Sequence, residues 1–232
     1  MRAIGLAAAA FLSGAAAADS APRVEIDFPN LIERYCAELS VAPDPEVVAE
    51  LRRRLPELRA AWEREGPALM AETARLAGRP YRFRETIAVL HACEDLGSLS
   101  RPLLIAAARY TDAWARRPGR DGAARSRRPD ADFVNSVWHE TNHRYVTAIV
   151  ESLPGATTPA RERHARESIV VRNHLHLFAL EELVWTRLGR RDEFEARRAR
   201  VEGRGDRELA RAYALVRQEG AEALVAELRP GG

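Results

Sequence analysis

Five consecutive residues of this 232-residue chain, His139-Glu140-Thr141-Asn142-His143, fit the pattern H-E-x-x-H. On an α-helix this spacing puts both imidazoles on one face, with the Glu140 carboxylate beside them. A catalytic zinc normally takes three protein ligands, and it lowers the pKa of the water in its fourth position to about 7. The pattern therefore predicts a Zn²⁺ site with His139 and His143 as ligands and Glu140 as general base. Because so short a pattern also arises by chance, the surrounding sequence has to support it.

The third ligand is expected on a second helix, over residues 161–188. His174 and Glu181 fall in the middle of its apolar face, seven residues and about 10 Å apart along the axis. Buried polar groups of this kind are costly unless they are paired or bind metal. We assign Glu181 as the third ligand and His174 as a hydrogen-bond donor to the developing oxyanion. The alternative is His174 as ligand with Glu181 orienting a metal-bound imidazole. His164 and His176 are expected to face solvent.

The motif itself lies on a predicted helix over residues 133–151, with Asp130 or Asp132 as its N-cap. At 100° per residue, His139 and His143 share a face with apolar side chains and not with the polar side of the helix. Imidazoles in that position need partners. The two helices are joined by one loop, so the simplest arrangement has them facing each other around one ion.

Two strands are predicted before the motif helix, over residues 82–93 and 103–110, where alternating and β-branched positions accumulate. Zinc peptidases can hold an extended substrate by adding it to an exposed sheet edge, and two ordinary core strands are an equally good interpretation. His91 lies within the first strand, where a single histidine is more often structural than a metal ligand.

An arginine-rich segment, residues 116–129, separates these strands from the motif helix and has the composition of a loop. Its position is compatible with a flap over the site or with a collar for an acidic substrate. Runs of charge are more often simply solvated. Both interpretations stay open at this point.

The first residues indicate export. Arg2, a short apolar run and alanines 15–18 before Asp19 are typical of a secretory signal peptide with an A-x-A cleavage site. Residues 1–18 are therefore predicted to be a signal peptide, the mature protein is expected to be periplasmic or secreted, and no later stretch is long and apolar enough to span a membrane. Cys36 and Cys93 are the two cysteines of the chain, and an exported protein allows a disulfide between them.

The basic residues give no sign of nucleic-acid binding. All 36 are arginine, and the formal net charge is only +2. A general nucleic-acid role is therefore not expected. The expected partner is a peptide or protein substrate.

The combination of a signal peptide, strands, an H-E-x-x-H helix and the downstream segment HLHLFALEELVW (residues 174–185) resembles exported bacterial zinc metallopeptidases of gluzincin type. The resemblance covers about residues 82–195. It implies zinc binding by the two motif histidines and a later glutamate, with water activated by the motif glutamate. Two departures concern the third ligand: Glu181 is not preceded by Asn, and Trp185 stands where Ser or Asp is expected.

The sequence thus predicts an α+β, mostly helical, zincin-like fold with a small β-sheet before the H-E-x-x-H helix, forming a single metallopeptidase domain over residues 19–232. The expected function is a zinc-dependent hydrolase, most simply a peptidase. One alternative is a non-catalytic protein in which the same ligands hold a structural ion. The other is a helical interaction protein with an accidental motif, which would place the motif histidines more than about 8 Å from Glu181, too far to share an ion.

Overall fold

The computed structural model describes residues 21–39, 42–93, 96–119 and 124–231, so the predicted signal peptide lies outside the described residues. The described part is mostly helical with a small β-sheet, which confirms the α+β class. The strands are β1 (Arg23–Asp27), β2 (Glu85–His91) and β3 (Leu104–Ala106). The helices are α1 (Leu31–Leu39), α2 (Pro45–Ala77), α3 (Asp112–Ala115), α4 (Asp130–Val150), α5 (Pro159–Arg163), α6 (Ile169–Arg187), α7 (Arg191–Gly203), α8 (Arg207–Glu219) and α9 (Ala221–Ala226).

The sheet has the order β1-β2-β3, and both pairs are parallel. Strand β1 was not predicted, although Val24 and Ile26 are buried and alternate with exposed residues in the pattern expected of a strand. The second predicted strand was too long, since it ends at Ala106 and residues Ala108–Tyr110 form a 3₁₀ turn. The parallel order arises because helices α1 and α2 provide the crossover between β1 and β2.

Helix α2 is the longest element. Asp44 caps its first turn by accepting a hydrogen bond from the Glu46 amide at 2.7 Å, and Gly78 ends it at φ 62°, a conformation that favours glycine. Pro56 and Pro67 both lie inside this one helix.

A disulfide joins Cys36 on α1 to Cys93 just after β2, with the Cα atoms 5.1 Å apart. This distance is ordinary for a disulfide, and the bond confirms the pairing that the sequence allowed. It fastens α1 to the end of the central strand. In the described part of the chain, no helix is long and apolar enough to cross a membrane.

The two helices that carry the predicted site are α4 and α6. Pro129 precedes α4 and no side chain caps it, so Asp130 and Asp132 are acids of the first turn, not N-caps. The predicted helix over residues 161–188 is two helices, because Ser168 caps a new start at α6 by accepting from the Val171 amide at 3.2 Å.

Tryptophans fix the packing of these helices. The rings of Trp138 on α4 and Trp185 on α6 meet edge to face at 5.8 Å, and both are buried. Trp138 also donates its indole N–H to Thr73 on α2 at 3.1 Å. One hydrophobic cluster runs from Val24 to Leu228 and includes both tryptophans, so α4 and α6 are packed together next to the motif histidines.

Candidate metal centre

Three imidazoles converge between α4 and α6. The ring centroids of His139 and His143 are 4.8 Å apart, those of His143 and His174 are 4.7 Å apart, and those of His139 and His174 are 5.5 Å apart. One nitrogen of each ring lies within 4.8 Å of the other two. The motif helix provides two of these rings through its four-residue spacing, and α6 provides the third.

Hydrogen bonds set the tautomers of two of the rings. His139 Nδ1 lies 2.7 Å from Glu181 Oε1, and His174 Nδ1 lies 2.7 Å from the carbonyl oxygen of Val170. Both partners accept, so each Nδ1 carries a proton and each Nε2 keeps a free lone pair. Metal-binding histidines are usually oriented in this way, with one nitrogen donating to a carboxylate or carbonyl and the other free for the ion.

Glu181 is fully buried and lies against His139 Nδ1. It does not belong to the group whose ligand atoms come within 4.8 Å of one another, which is His139, His143 and His174. Its Oε2 atom has no hydrogen-bond partner among the described residues. This is the geometry of the alternative assignment, in which His174 is a ligand and Glu181 orients a metal-bound imidazole.

Arg197 on α7 completes the surroundings of Glu181, and the sequence analysis missed it. Its Nη1 donates to Glu181 Oε1 at 3.3 Å, and its Nη2 lies 3.1 Å from His139 Nδ1. Because Nδ1 already donates to Glu181, only the first of these contacts is a hydrogen bond. Arg197 follows the buried Phe194 by three residues, and this helical spacing was the available signal that its side chain points inward.

Burial keeps the three imidazoles neutral. It lowers the pKa of His139 well below the usual value and that of His143 to about 2, with the neighbouring Arg197 and histidines acting in the same direction. It also lowers the pKa of His174, although the bond to Val170 and the Glu181 carboxylate oppose the shift. Since only the neutral ring has a lone pair to offer, the three nitrogens are available to a metal at neutral pH.

Glu140 is buried too, and burial raises its pKa to about 7, against the opposing effect of Arg197. A carboxyl group with a pKa near the working pH is suited to accept a proton and return it. Burial likewise raises the pKa of Glu181, and the Arg197 guanidinium opposes that shift.

A cavity of about 490 Å³ brings solvent to this site. His139, Glu140 and Arg197 form part of its wall, together with Asn135 one turn earlier on α4 and Ser98 from the segment before β3. The Oδ1 atom of Asn135 is buried in this wall without a partner among the described residues. The site therefore combines a closed side, where Glu181 lies, with an open side, where Glu140 lies.

The remaining histidines are partnered. His176 is fully buried and its Nε2 lies 2.9 Å from Glu227 Oε2, so the expectation that it faces solvent was wrong. His164 is half-buried, with its Nε2 3.0 Å from Glu219 Oε1, and was also wrongly expected to be exposed. The expectation for His176 was wrong because α8 and α9 pack on α6 and cover the face that carries it. His164 follows α5 and is covered because it lies against Glu219, the last residue of α8. His91 donates from Nε2 to the Gly97 carbonyl at 3.2 Å, a structural bond.

No protein-family model, curated protein or solved structure matches this chain. The functional argument therefore depends on the residues alone. One geometric expectation can be checked directly: the accidental-motif alternative places the motif histidines more than about 8 Å from Glu181. His139 lies 2.7 Å from it, so the polar groups of the two helices do face each other.

Proposed function

We propose that this protein is a zinc-dependent hydrolase, most simply a peptidase of the cell exterior. The observation that carries the proposal is the convergence of His139, His143 and His174, two of them with Nε2 freed by hydrogen bonds at Nδ1, beside a cavity lined by Glu140. Three neutral imidazoles and an open side are the arrangement of catalytic zinc sites with three histidine ligands.

The proposed ligands are His139, His143 and His174. This set departs from the first expectation from the sequence, in which Glu181 was the third ligand. Glu181 would instead hold the His139 ring and increase its basicity, and Arg197 would hold Glu181. The donor chemistry fits zinc because imidazole nitrogen is among its preferred ligands.

When bound, zinc supplies a Lewis acid that polarises the substrate carbonyl and makes water a better nucleophile near neutral pH. The chain itself supplies the proton transfer. Glu140 takes one proton from the attacking water as the new C–O bond forms, and it delivers that proton to the leaving amine as the C–N bond breaks. The raised pKa of Glu140, about 7, matches both halves of this transfer.

Three further features are compatible with the proposal. The zincin-like fold implied by the resemblance is supported by an H-E-x-x-H helix that follows a small sheet and by a third candidate ligand on a later helix. Export is supported by the leader-like first residues and by the Cys36–Cys93 disulfide. A peptide substrate is supported by the resemblance alone.

The test is metal analysis combined with digestion of a broad peptide library. Wild-type protein should contain one zinc and cleave peptides. Glu140→Gln should keep the zinc and lose cleavage by about 100-fold or more, because removal of a general base costs that much. His139→Ala should lose the metal.

Glu63→Gln is the matched control, since Glu63 is an exposed carboxylate on α2. It should leave both zinc content and cleavage unchanged. Absence of zinc even after supplementation would contradict the proposal. Zinc without cleavage of any peptide would assign the ion a purely structural role.

A further inference from the structure

A second cavity, of about 580 Å³, lies next to the one that Glu140 lines. The two cavities share part of their walls, and the shared wall includes the side chains of Arg109, Arg128 and Arg204. We refer to these three residues as the arginine recess. It connects the metal centre with the outer surface of the loop that precedes α4.

Local structure holds the three arginines together. The backbone N–H of Arg128 donates to the carbonyl oxygen of Arg109 at 2.9 Å, which places the two residues side by side. Arg204 follows the last turn of α7, at the end of a helix where positive charge is favourable. The recess is therefore built from three separate segments that the fold brings to one place.

The charges of the recess are balanced only in part by protein carboxylates, since Asp132 in the shared wall attracts Arg128 and Arg204. In the parts of the chain that the structure describes, the side chains of Arg109, Arg128 and Arg204 make no ion pair and no hydrogen bond. The two other arginines in the wall are paired, Arg200 with Asp132 at 2.8 Å and Arg197 with Glu181 at 3.3 Å.

The arginines of the recess repel one another, and this repulsion contributes to lowering the pKa of Arg128 and of Arg204. Burial, together with the charges of Arg109 and Arg204, lowers the pKa of Arg128 to about 10, although Asp132 opposes the shift. The pKa of Arg204 is lowered for the same reasons, by burial first and then by Arg109 and Arg200. Cations held together in this way are stabilised by an anion placed between them.

The nearby acids offset these charges only in part. Asp132, the acid in the shared wall, already forms an ion pair with Arg200 at 2.8 Å. The Asp206 carboxylate accepts a hydrogen bond from the Leu209 amide at 3.1 Å as the N-cap of α8. The recess therefore keeps an excess of positive charge beside the proposed reaction centre.

We propose that the arginine recess binds an anionic group, a carboxylate or a phosphate, on the substrate that is hydrolysed at the metal centre. That the anion belongs to a substrate rests on the proposed hydrolase function, whereas anion binding by the recess does not depend on it. Guanidinium groups suit oxyanions because their N–H donors match two oxygens at once. This assigns to the arginine-rich loop the role of a collar for acidic substrates, since Arg128 belongs to it.

The first experiment is calorimetric titration with inorganic phosphate and with succinate, on zinc-loaded and on zinc-depleted protein. Both anions should bind, and the Arg128→Gln/Arg204→Gln double variant should weaken the binding by about tenfold or more. Arg53→Gln is the matched control, an exposed arginine on α2 outside both cavities. If neither anion binds, or if the control weakens binding as much as the double variant, the proposal is wrong.

The second experiment compares a cleaved peptide in three forms that differ at one position, with Glu, phosphoserine or Gln. The charged forms should have a KM about tenfold lower than the Gln form, and the double variant should abolish this advantage, whereas the Arg53→Gln control should keep it. The preferred charged form distinguishes carboxylate from phosphate. Equal KM values for all three forms would overturn the substrate assignment.

The two proposals fail in different ways. If no peptide is cleaved but phosphate binds and the double variant loses it, the hydrolase is wrong and the anion site stands. If peptides are cleaved but no anion binds, the hydrolase stands and the recess is wrong.

Discussion

Among the described residues, two groups of three side chains have potential ligand atoms within 4.8 Å of one another, Cys36-His91-Cys93 and His139-His143-His174. In the first group the two sulfurs are bonded to each other, and His91 uses Nε2 to donate to Gly97. In the second group the Nε2 atoms of His139 and His174 are free, and the cavity beside them is open. Proximity of ligand types is therefore not enough, because the lone pairs must also be available and an entry path must exist.

The largest expected effect separates the two groups directly. His174→Ala removes a proposed ligand and should weaken zinc binding by about a thousandfold or more, beyond the loss typical of residues that only support a ligand. His91→Ala should leave zinc affinity and stoichiometry unchanged. Competition with a fluorescent chelator measures both. Equal loss in the two variants would remove the distinction between the groups.

The disulfide should matter for stability and not for metal. Cys36→Ser/Cys93→Ser opens a loop closed over a separation of 57 residues, which should lower the free energy of unfolding by about 4 kcal/mol. Zinc stoichiometry should stay at one. Chemical denaturation tests the stability change, and metal analysis tests the zinc stoichiometry. If mild reduction of the wild type changed its zinc content, the statement about zinc would be contradicted.

His91 should make the fold sensitive to acid. Burial lowers its pKa to about 4, so the folded protein holds this ring neutral while the unfolded chain protonates it near 6.5. The corresponding stability is fully present above about pH 6.5 and is lost as the pH falls towards 4, by about 3 kcal/mol in total. Denaturation midpoints of wild type and His91→Gln over this range should converge at low pH. A parallel decline in both would show that His91 is not responsible.

The smallest expected effect on zinc binding comes from Glu181, the carboxylate beside His139 Nδ1. Glu181→Gln should weaken zinc binding by about 10- to 100-fold, as is usual for a residue that orients a ligand. A loss as large as that of His174→Ala would instead restore the first assignment, with Glu181 as the third ligand. Thermal unfolding of the zinc-free variant provides the control, since Arg197 loses its partner in this substitution.

The sequence predicted which residues come together better than it predicted the role of each residue. The four-residue spacing found His139 and His143, and the apolar face of α6 found His174 and Glu181, because periodicity reports which residues are buried. It did not decide which of the last two is the ligand, because that depends on a difference of a few ångströms set by helix packing. Arg197 was missed for a related reason, since Phe194 is the one buried side chain of α7 and its three-residue spacing to Arg197 is a weak signal of the inward face.

The fold shows the same contrast between features that local sequence signals predict and features that depend on distant segments. Helix ends can carry clear local signals, such as Asp44 and Gly78 at the two ends of α2. Strand β1 was missed because its five residues are too few for a strong pattern, and its pairing partner lies about sixty residues further along the chain. His176 was misplaced because the helices that cover it come later in the sequence. Local signals are readable from the chain, while coverage by distant segments is not.

Helix α7 carries Arg197, whose side chain lies beside His139. Arg204 of the recess follows the last turn of this helix, seven residues later. Seven residues of α-helix span about 10 Å, and an extended peptide covers that length with about three residues. If the proposed hydrolase and the proposed anion site both hold, the acidic side chain of a good substrate is expected about three positions from the bond that is cut.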